Sequence, residues 1–257
     1  MTLLVVGALH LDVVLTAPHL PAPDETVTGT GVDYVFGGKG GYQALAAARL
    51  GAKVSFAGRA GTDSFGDILR EKLRSSRIEV SQLQKDPGPS GMSAAIVDAK
   101  GDYGAVIVSA ANLKIDADKI ELPGDTSLVV LQNEIPEAVN LAVARKARAH
   151  GAKVWLNAAP ARPMSEAMVQ AVDLVIVNRI EAAAIADCVG STDVLTTLGP
   201  EGVEFGGTKS PAFAVMVTST HGAGDTFLGA LAARFVAGDD IKTAIPFAQG
   251  AAALHIS

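Results

Sequence analysis

The chain has 257 residues, of which 49% are hydrophobic and 19% charged, and its formal net charge is −6. This composition predicts a globular protein with a sizeable core and excludes wholesale disorder, and an acidic balance without a basic run argues against a nucleic-acid partner. No apolar run reaches the ~18–20 residues that a membrane span requires, and residues 1–6 show no export signal, so we expect a cytoplasmic protein without a membrane partner. The single cysteine, Cys188, excludes an intramolecular disulfide.

Short apolar runs alternate with helical patterns along the chain. Strands are predicted at 3–6, 54–57, 127–131, 153–156 and 174–177, and helices at 40–50, 65–74, 137–150, 223–236 and 243–254. Pro136 suits the start of the third of these helices, and Gly151 suits its end. Such alternation is typical of βαβ units, so it predicts an α/β fold whose mainly parallel sheet is covered by helices on both faces.

Two stretches, 25–36 and 93–108, do not follow this alternation. They are extended, interrupted by turn residues and more weakly apolar, and no helix separates them from neighbouring strands. We therefore predict that they form a small accessory sheet outside the main one, as a lid would. Because no repeat or low-complexity linker interrupts the chain, we expect one α/β domain with a small β appendage.

A first glycine-rich segment, residues 37–41, directly precedes a predicted helix. It lacks the Gly-Lys-Ser/Thr of a Walker P-loop, and its spacing does not match the dinucleotide-binding pattern. Glycines allow a backbone to approach a ligand closely, and Lys39 adds a positive charge. A tight turn with a solvated lysine explains the segment equally well, so taken alone it leaves both interpretations open.

A second segment, residues 220–227, leads directly into an Ala- and Leu-rich helix. The free N–H groups at such a helix start form an anion site when no side chain blocks them. Asp225 lies in that first turn, where an acidic residue is commonly a helix cap. Beside an anion site, it can also take the proton of an attacking hydroxyl while the backbone N–H groups stabilise a moving phosphoryl group.

Other enzyme classes lack their motifs. The five histidines include no HExxH pair and Cys188 has no CxxC partner, so a zinc site is unsupported. No GxSxG sequence is present, so α/β-hydrolase chemistry has no nucleophile.

In this order and at this separation, the two glycine-rich segments resemble the ribokinase (PfkB) family of carbohydrate kinases. Residues 37–52 are similar to its N-terminal signature and 220–227 to its C-terminal one, with further similarity at 110–112, 156–161, 178–181 and 197–202. The resemblance implies a ribokinase-like three-layer α/β/α fold in a single domain, 1–257. It also implies a β-sheet lid, built from about 12–36 and 91–108, that pairs two subunits into a homodimer.

The resemblance also implies an ATP-dependent sugar kinase that uses Mg²⁺. Asp225 would be the catalytic base, and the anion hole would be lined by Gly222, Ala223 and Gly224. The sugar would be bound by Asp12, Gly38, Lys39, Gly40, Glu134, and by His10 and Tyr42 at two family positions. The nucleotide would be bound by Asn178, Thr197, Gly199 and Gly202, and Glu181 would hold Mg²⁺ through water.

The sequence departs from the family pattern in four respects. Tyr42 and His10 each stand where asparagine is usual, so we expect the pocket to recognise other hydroxyls than those of plain ribose. Glu181 and Thr197 are so close that scarcely any room is left for the helix that relatives carry between them. The sequence ends at Ser257, soon after helix 243–254, whereas ribokinases continue through a loop and a final helix. That tail helps to enclose adenine and to bind a monovalent cation, and Ser219 also replaces an aspartate serving this cation, so dependence on K⁺ is left open.

Two functions other than a sugar kinase are also consistent with the sequence. A nucleoside kinase of the same family is one, since Tyr42 is able to stack on a base. A sugar- or nucleotide-binding protein without catalysis is the other, suggested by Tyr42 and by the shortened adenine region. The presence of both Asp225 and its glycine-rich cradle favours a kinase, because a binding protein does not need a placed base.

Overall fold

Thirteen strands and seven α-helices make up the computed structural model, which describes residues 1–257. The strands are β1 (Thr2–Val6), β2 (His10–Thr16), β3 (Gly31–Gly37), β4 (Lys53–Gly61), β5 (Leu83–Asp86), β6 (Met92–Val97), β7 (Tyr103–Val108), β8 (Thr126–Gln132), β9 (Lys153–Asn157), β10 (Leu174–Asn178), β11 (Asp193–Thr197), β12 (Val203–Phe205) and β13 (Thr208–Ser210). The helices are α1 (Lys39–Arg49), α2 (Ser64–Ser75), α3 (Glu137–His150), α4 (Glu166–Ala171), α5 (Arg179–Ile185), α6 (Ala223–Ala237) and α7 (Ile241–Ile256). None of these helices is both long and apolar enough to cross a lipid bilayer.

Nine strands form the large sheet, in the order β13-β12-β11-β10-β9-β8-β1-β4-β5. From β11 to β5 all neighbours run parallel, and only β12 and β13 are antiparallel. All five predicted strands are found in this sheet, as β1, β4, β8, β9 and β10. The mainly parallel sheet predicted from the alternation of strands and helices is therefore confirmed.

The large sheet separates two hydrophobic clusters, and β1 shows why. Successive side chains of a strand point to opposite faces, so Leu3 and Val5 join one cluster and Leu4 and Val6 the other. The first cluster contains apolar residues of α1, α2, α6 and α7, and the second contains those of α3, α4 and α5. Helices thus cover both faces, and the three-layer α/β/α architecture is confirmed.

A separate four-stranded sheet has the order β3-β2-β6-β7. It differs in detail from the extended stretches predicted from pattern: residues 25–30 form no strand, and His10–Thr16 forms the strand between β3 and β6. The pattern missed β2 because its first residues, His10 and Leu11, are buried like those of the main sheet while its last residues are exposed. All six residues of β7 are exposed.

The region between Glu181 and Thr197 contradicts the expectation that scarcely any room is left for a helix. The two-turn helix α5 begins at Arg179, just before Glu181, which lies in its first turn, and it ends at Ile185. The helix fits because it begins directly at the end of β10, so no connecting loop is needed.

Candidate active site

The predicted site lies at the edge of the large sheet where the parallel strands have their carboxyl ends. Gln132, Asn157, Asn178 and Thr197 are the last residues of β8, β9, β10 and β11, so this edge carries polar side chains. In open α/β sheets, ligands bind beyond this edge. Helices α1 and α6 both begin here and pack tightly, since a Cβ on Gly229 would lie 2.6 Å from that of Ala46.

Asp225 is the third residue of α6, and its side chain is buried. Its Oδ1 accepts a hydrogen bond of 2.8 Å from Nε2 of Gln43 on α1, while its Oδ2 has no partner within the chain. Burial raises the pKa of Asp225, although the nearby Lys39 charge and the hydrogen bond from Gln43 act in the opposite direction. A buried carboxylate with one free oxygen and a raised pKa is well suited to accept a proton.

The backbone around Asp225 forms a cradle of free donors. Gly222 caps α6 in the left-handed conformation, with φ of 72°. The N–H group of Ala223 donates to the Thr220 carbonyl, but the N–H groups of Gly222, Gly224 and Asp225 donate to no acceptor in the chain. A Cβ on Gly224 would meet no atom within 4 Å, so this surface is open. Free donors at the start of a 15-residue helix favour an anion.

The residues predicted to hold a sugar come together between the small sheet and α1. The backbone N–H of Lys39 donates to Oε2 of Glu134 over 2.7 Å, and the Ser93 hydroxyl donates to Oδ1 of Asp12 over 2.6 Å. Burial raises the pKa of Glu134. At Gly38, φ is 90° and a Cβ would lie 2.5 Å from the Ala8 carbonyl oxygen, so only glycine fits this turn.

His10 and Tyr42, the two departures from the family pattern, both lie at this pocket. His10 is buried and its Nε2 atom has no partner; burial lowers its pKa, against the nearby Asp12 charge, which favours the neutral imidazole. The Tyr42 hydroxyl is 3.2 Å from Nε2 of His221, and the Tyr42 ring makes edge-to-face contacts with Phe36 and His221. Tyr42 thereby joins α1, the small sheet and the segment before α6. Gly40 packs below this pocket, against Gly7 and Gln132.

A cavity of about 550 Å³ lies on the other side of the cradle. Thr197, Gly199 and Gly202, all predicted to contact a nucleotide, line it together with Ala223 and Gly224 of the cradle. Apolar side chains that pattern analysis missed line the rest, from Phe213, Val215, Val217 and Ile256 among others. A cavity of about 660 Å³ between α4 and the turn after α5 contains none of the predicted site residues, and we assign it no role in the chemistry.

Asn178 and Glu181 do not line the 550 Å³ cavity. They cap α5 reciprocally: the Glu181 N–H donates to Asn178 Oδ1 over 2.9 Å, and the Asn178 N–H donates to Glu181 Oε2 over 2.8 Å. Oε1 of Glu181 has no partner in the chain. No group of three or more His, Cys, Asp and Glu side chains that could hold a metal ion is found. One free carboxylate oxygen fits a largely water-ligated Mg²⁺ rather than a cage of protein ligands.

Comparisons with known proteins agree with this fold. Residues 2–257 match the profile described as pfkB family carbohydrate kinase. The ribokinases of Bacillus subtilis and Lactococcus lactis are 33% and 34% identical to the chain, over 98% of its length and 92% and 89% of theirs. The structure of Arabidopsis thaliana ribokinase complexed with ribose and ATP superposes with a TM-score of 0.91 at 28% identity, covering 99% of this chain and 92% of that one.

The fold, the site and these similarities define a phosphotransferase that acts on carbohydrates. The chain belongs to the pfkB family of carbohydrate kinases, and within that family it is a sugar kinase of the ribokinase type.

Proposed function

We propose that the protein transfers the γ-phosphoryl group of ATP to a hydroxyl of ribose or a related sugar, with Asp225 as the base. One observation carries this proposal: the buried Asp225 carboxylate, whose pKa is raised, has its free Oδ2 atom beside a cradle of free N–H groups. This cradle lies between the polar pocket and the largely apolar cavity. The solved ribokinase that this chain resembles was complexed with ribose and ATP, which supports ATP and a ribose-like sugar as the substrates here.

In the proposed reaction, Oδ2 of Asp225 takes the proton of the sugar hydroxyl. The hydroxyl oxygen then forms a bond to the γ-phosphorus as the bond to the ADP oxygen breaks, and the N–H groups of Gly222 and Gly224 stabilise the charge on the phosphoryl oxygens. The chain supplies positioning and electrostatic stabilisation, and it forms no covalent intermediate.

Each of the two pockets would bind one substrate. The sugar would lie against Asp12, His10, Tyr42 and Glu134, with Gly38, Lys39 and Gly40 at the start of α1. The nucleotide would occupy the cavity lined by Thr197, Gly199 and Gly202, with Asn178 and Glu181 near its phosphates. When bound, Mg²⁺ would neutralise charge on those phosphates, and Oε1 of Glu181 is the carboxylate oxygen available to hold it through water.

The test is ADP release with MgATP against pentoses, hexoses, deoxy-sugars and nucleosides, with and without K⁺. We expect a sugar to be phosphorylated and the activity to disappear in Asp225→Asn. A folded protein that binds a sugar or ATP but releases no ADP with any acceptor would refute the proposal and favour a binding protein. Preference for adenosine or inosine over every free sugar would instead identify a nucleoside kinase.

We further propose that the small sheet is a lid over the sugar pocket and that it pairs two copies of the chain. The sheet contributes Asp12 to the pocket, and its outer strand leaves Tyr103, Val106 and Ile107 more than 60% exposed, with Tyr34 on β3 similarly exposed. The register places Tyr34 and Val106 on one face of this sheet and Tyr103 and Ile107 on the other. Exposed apolar side chains of this kind are typical of a protein–protein interface. Light scattering should show a dimer in the wild type and a monomer in Val106→Lys, and a monomeric wild type would contradict the pairing.

A further inference from the structure

A chain of side-chain hydrogen bonds leads from Asp225 into the core. Nε2 of Gln43 donates to Asp225 Oδ1 over 2.8 Å, and Nε2 of Gln132 donates to Oε1 of Gln43 over 2.9 Å. Gln43 and Gln132 are 1% and 0% exposed, so water does not compete for these bonds. These two hydrogen bonds connect α6, α1 and the end of β8, three elements that are far apart in sequence.

The direction of these bonds follows from the chemistry of the groups. An ionised carboxylate can only accept hydrogen bonds, so the Gln43 amide must turn its nitrogen toward Asp225. Its oxygen then faces Gln132, which must present a donor. If Gln132 presented its oxygen instead, the Gln43 amide would lie between two acceptors, and whichever acceptor faced its oxygen would be repelled. The hydrogen bond from Gln132 therefore reinforces the orientation in which Gln43 donates to Asp225.

The surroundings of Gln132 show that this orientation is retained despite a cost. Oε1 of Gln132 is buried and has no hydrogen-bond partner, which is unfavourable for a buried acceptor. The oxygen fits only because two glycines leave room for it: a Cβ on Gly7 would overlap it, and a Cβ on Gly40 would lie 3.0 Å from it. Core packing alone would be satisfied better by an apolar side chain at this position.

We propose that Gln132 is a positioning residue for the phosphoryl transfer, acting through Gln43 to hold Asp225 with Oδ1 engaged and Oδ2 free for the acceptor hydroxyl. This inference rests on the proposed role of Asp225 as the base. Gln132 does not touch that carboxylate, and its predicted effect passes entirely through the Gln43 amide.

The experiment replaces Gln132 by methionine, which fills a similar volume and has no donor. Its control is Gln84→Met, because Gln84 also makes two hydrogen bonds through its amide, to the backbone of Asp116, far from the site. The first readout is the pKa of the Asp225 carboxyl from ¹³C NMR, assigned with Asp225→Asn. This readout does not require activity, so it separates failure of the positioning role from failure of the proposed function. The second is the pH dependence of kcat, together with KM for both substrates.

In Gln132→Met we expect the pKa of Asp225 to rise, because the hydrogen bond from Gln43 lowers it. The acid limb of the kcat profile then moves to higher pH. We also expect kcat to fall about 10-fold, as loss of one hydrogen bond in the transition state predicts, while both KM values change less than about 2-fold. The other groups facing Asp225 are unchanged in this variant: Lys39 and Tyr42 on α1, Glu134 after β8, His221 before α6 and His255 on α7.

A double-mutant cycle distinguishes action through Gln43 from a general disturbance of the core. In the Gln43→Met background, the further change Gln132→Met should have no effect on the pKa or on kcat. If Gln132→Met is poorly folded, Gln132→Leu repeats the test with a smaller apolar side chain. An unchanged pKa of Asp225 in a folded Gln132 variant, or an equal shift in Gln84→Met, would overturn the proposal. A shifted pKa in a protein that phosphorylates no acceptor would support the positioning role and reject the proposed function.

Discussion

Replacing Asp225 by asparagine should have opposite effects on catalysis and on stability. Asparagine has nearly the same shape, and its Oδ1 can still accept the hydrogen bond from Gln43 Nε2. The variant loses the proton acceptor, so kcat should fall at least ~100-fold, the low end for positioned general-base catalysis. Substrate affinity should change little, because Oδ2 of Asp225 acts in the transition state, where it takes the proton of the acceptor hydroxyl.

The stability effect follows from the raised pKa of Asp225, whose main cause is burial. A carboxyl with a pKa higher in the folded than in the unfolded protein binds its proton more tightly when folded. Its contribution to stability is therefore favourable below the ordinary pKa of aspartate and is lost as the pH rises through the folded value. Asparagine does not ionise, so at pH 7–8 the variant should be more stable, by about 0.5–2 kcal/mol, the usual range for a single stabilising substitution. This corresponds to a rise in Tm of roughly 1–8 °C at this chain length.

The assay combines ADP release with thermal unfolding at pH 8 and at pH 4. The matched control is Asp240→Asn, because Asp240 also lies at a helix N-terminus but is exposed, and hydrogen bonds from Thr243 lower its pKa. That variant should keep full activity, and any change in its Tm at pH 8 should be a loss. Near-native kcat in Asp225→Asn, or a Tm that falls at pH 8 while activity is lost, would refute the reasoning.

Two further substitutions test the cradle and the sugar pocket. Gly224→Ala adds a methyl group that meets no atom within 4 Å, so Tm should be unchanged or higher while kcat falls at least about 10-fold, because the methyl group projects into the cradle. Gly51→Ala, at a φ of 88° far from the site, is its control: it should lower Tm and leave kcat unchanged, and equal kcat values in the two variants would argue against the cradle. Tyr42→Asn removes the ring that contacts Phe36 and His221, and it should lower KM for ribose relative to other acceptors in competition assays. Tyr42→Phe keeps the ring and loses the contact with His221 Nε2, so a change of preference as large as that of Tyr42→Asn would assign specificity to the hydroxyl rather than to the ring.

Local patterns in the sequence predicted much of the fold. The apolar runs that became β1, β8 and β10 are buried on both faces, and the helix from Glu137 to His150 was predicted with its observed bounds. These features depend on residues close together in the chain, where periodicity, Pro136 and Gly151 act directly on the local backbone. The small sheet was predicted less well, because β2 follows β1 closely in the chain but lies in a different sheet, where it pairs with β3 and with the distant β6.

In the site, too, local features were predicted from the sequence, whereas contacts between distant segments were not. Asp225 and the glycines of its cradle were predicted from the sequence, since a glycine-rich helix start is a local feature. Asn178 and Glu181 were predicted as ligands of the nucleotide and its metal, and the structure shows in addition that they cap α5.

The sequence by itself determined the strand and helix alternation, the glycine-rich cradle and the acid within it. Only the tertiary structure decided that Gln43 donates to Asp225, 182 positions away, and that Gln132 in turn donates to Gln43. It also decided that Phe213 and Ile256 complete the apolar cavity. The physical reason is that these contacts depend on how closely α1 and α6 pack on one sheet, and Gly229 permits that approach. Interactions between distant segments are set by this packing, and no local pattern records them.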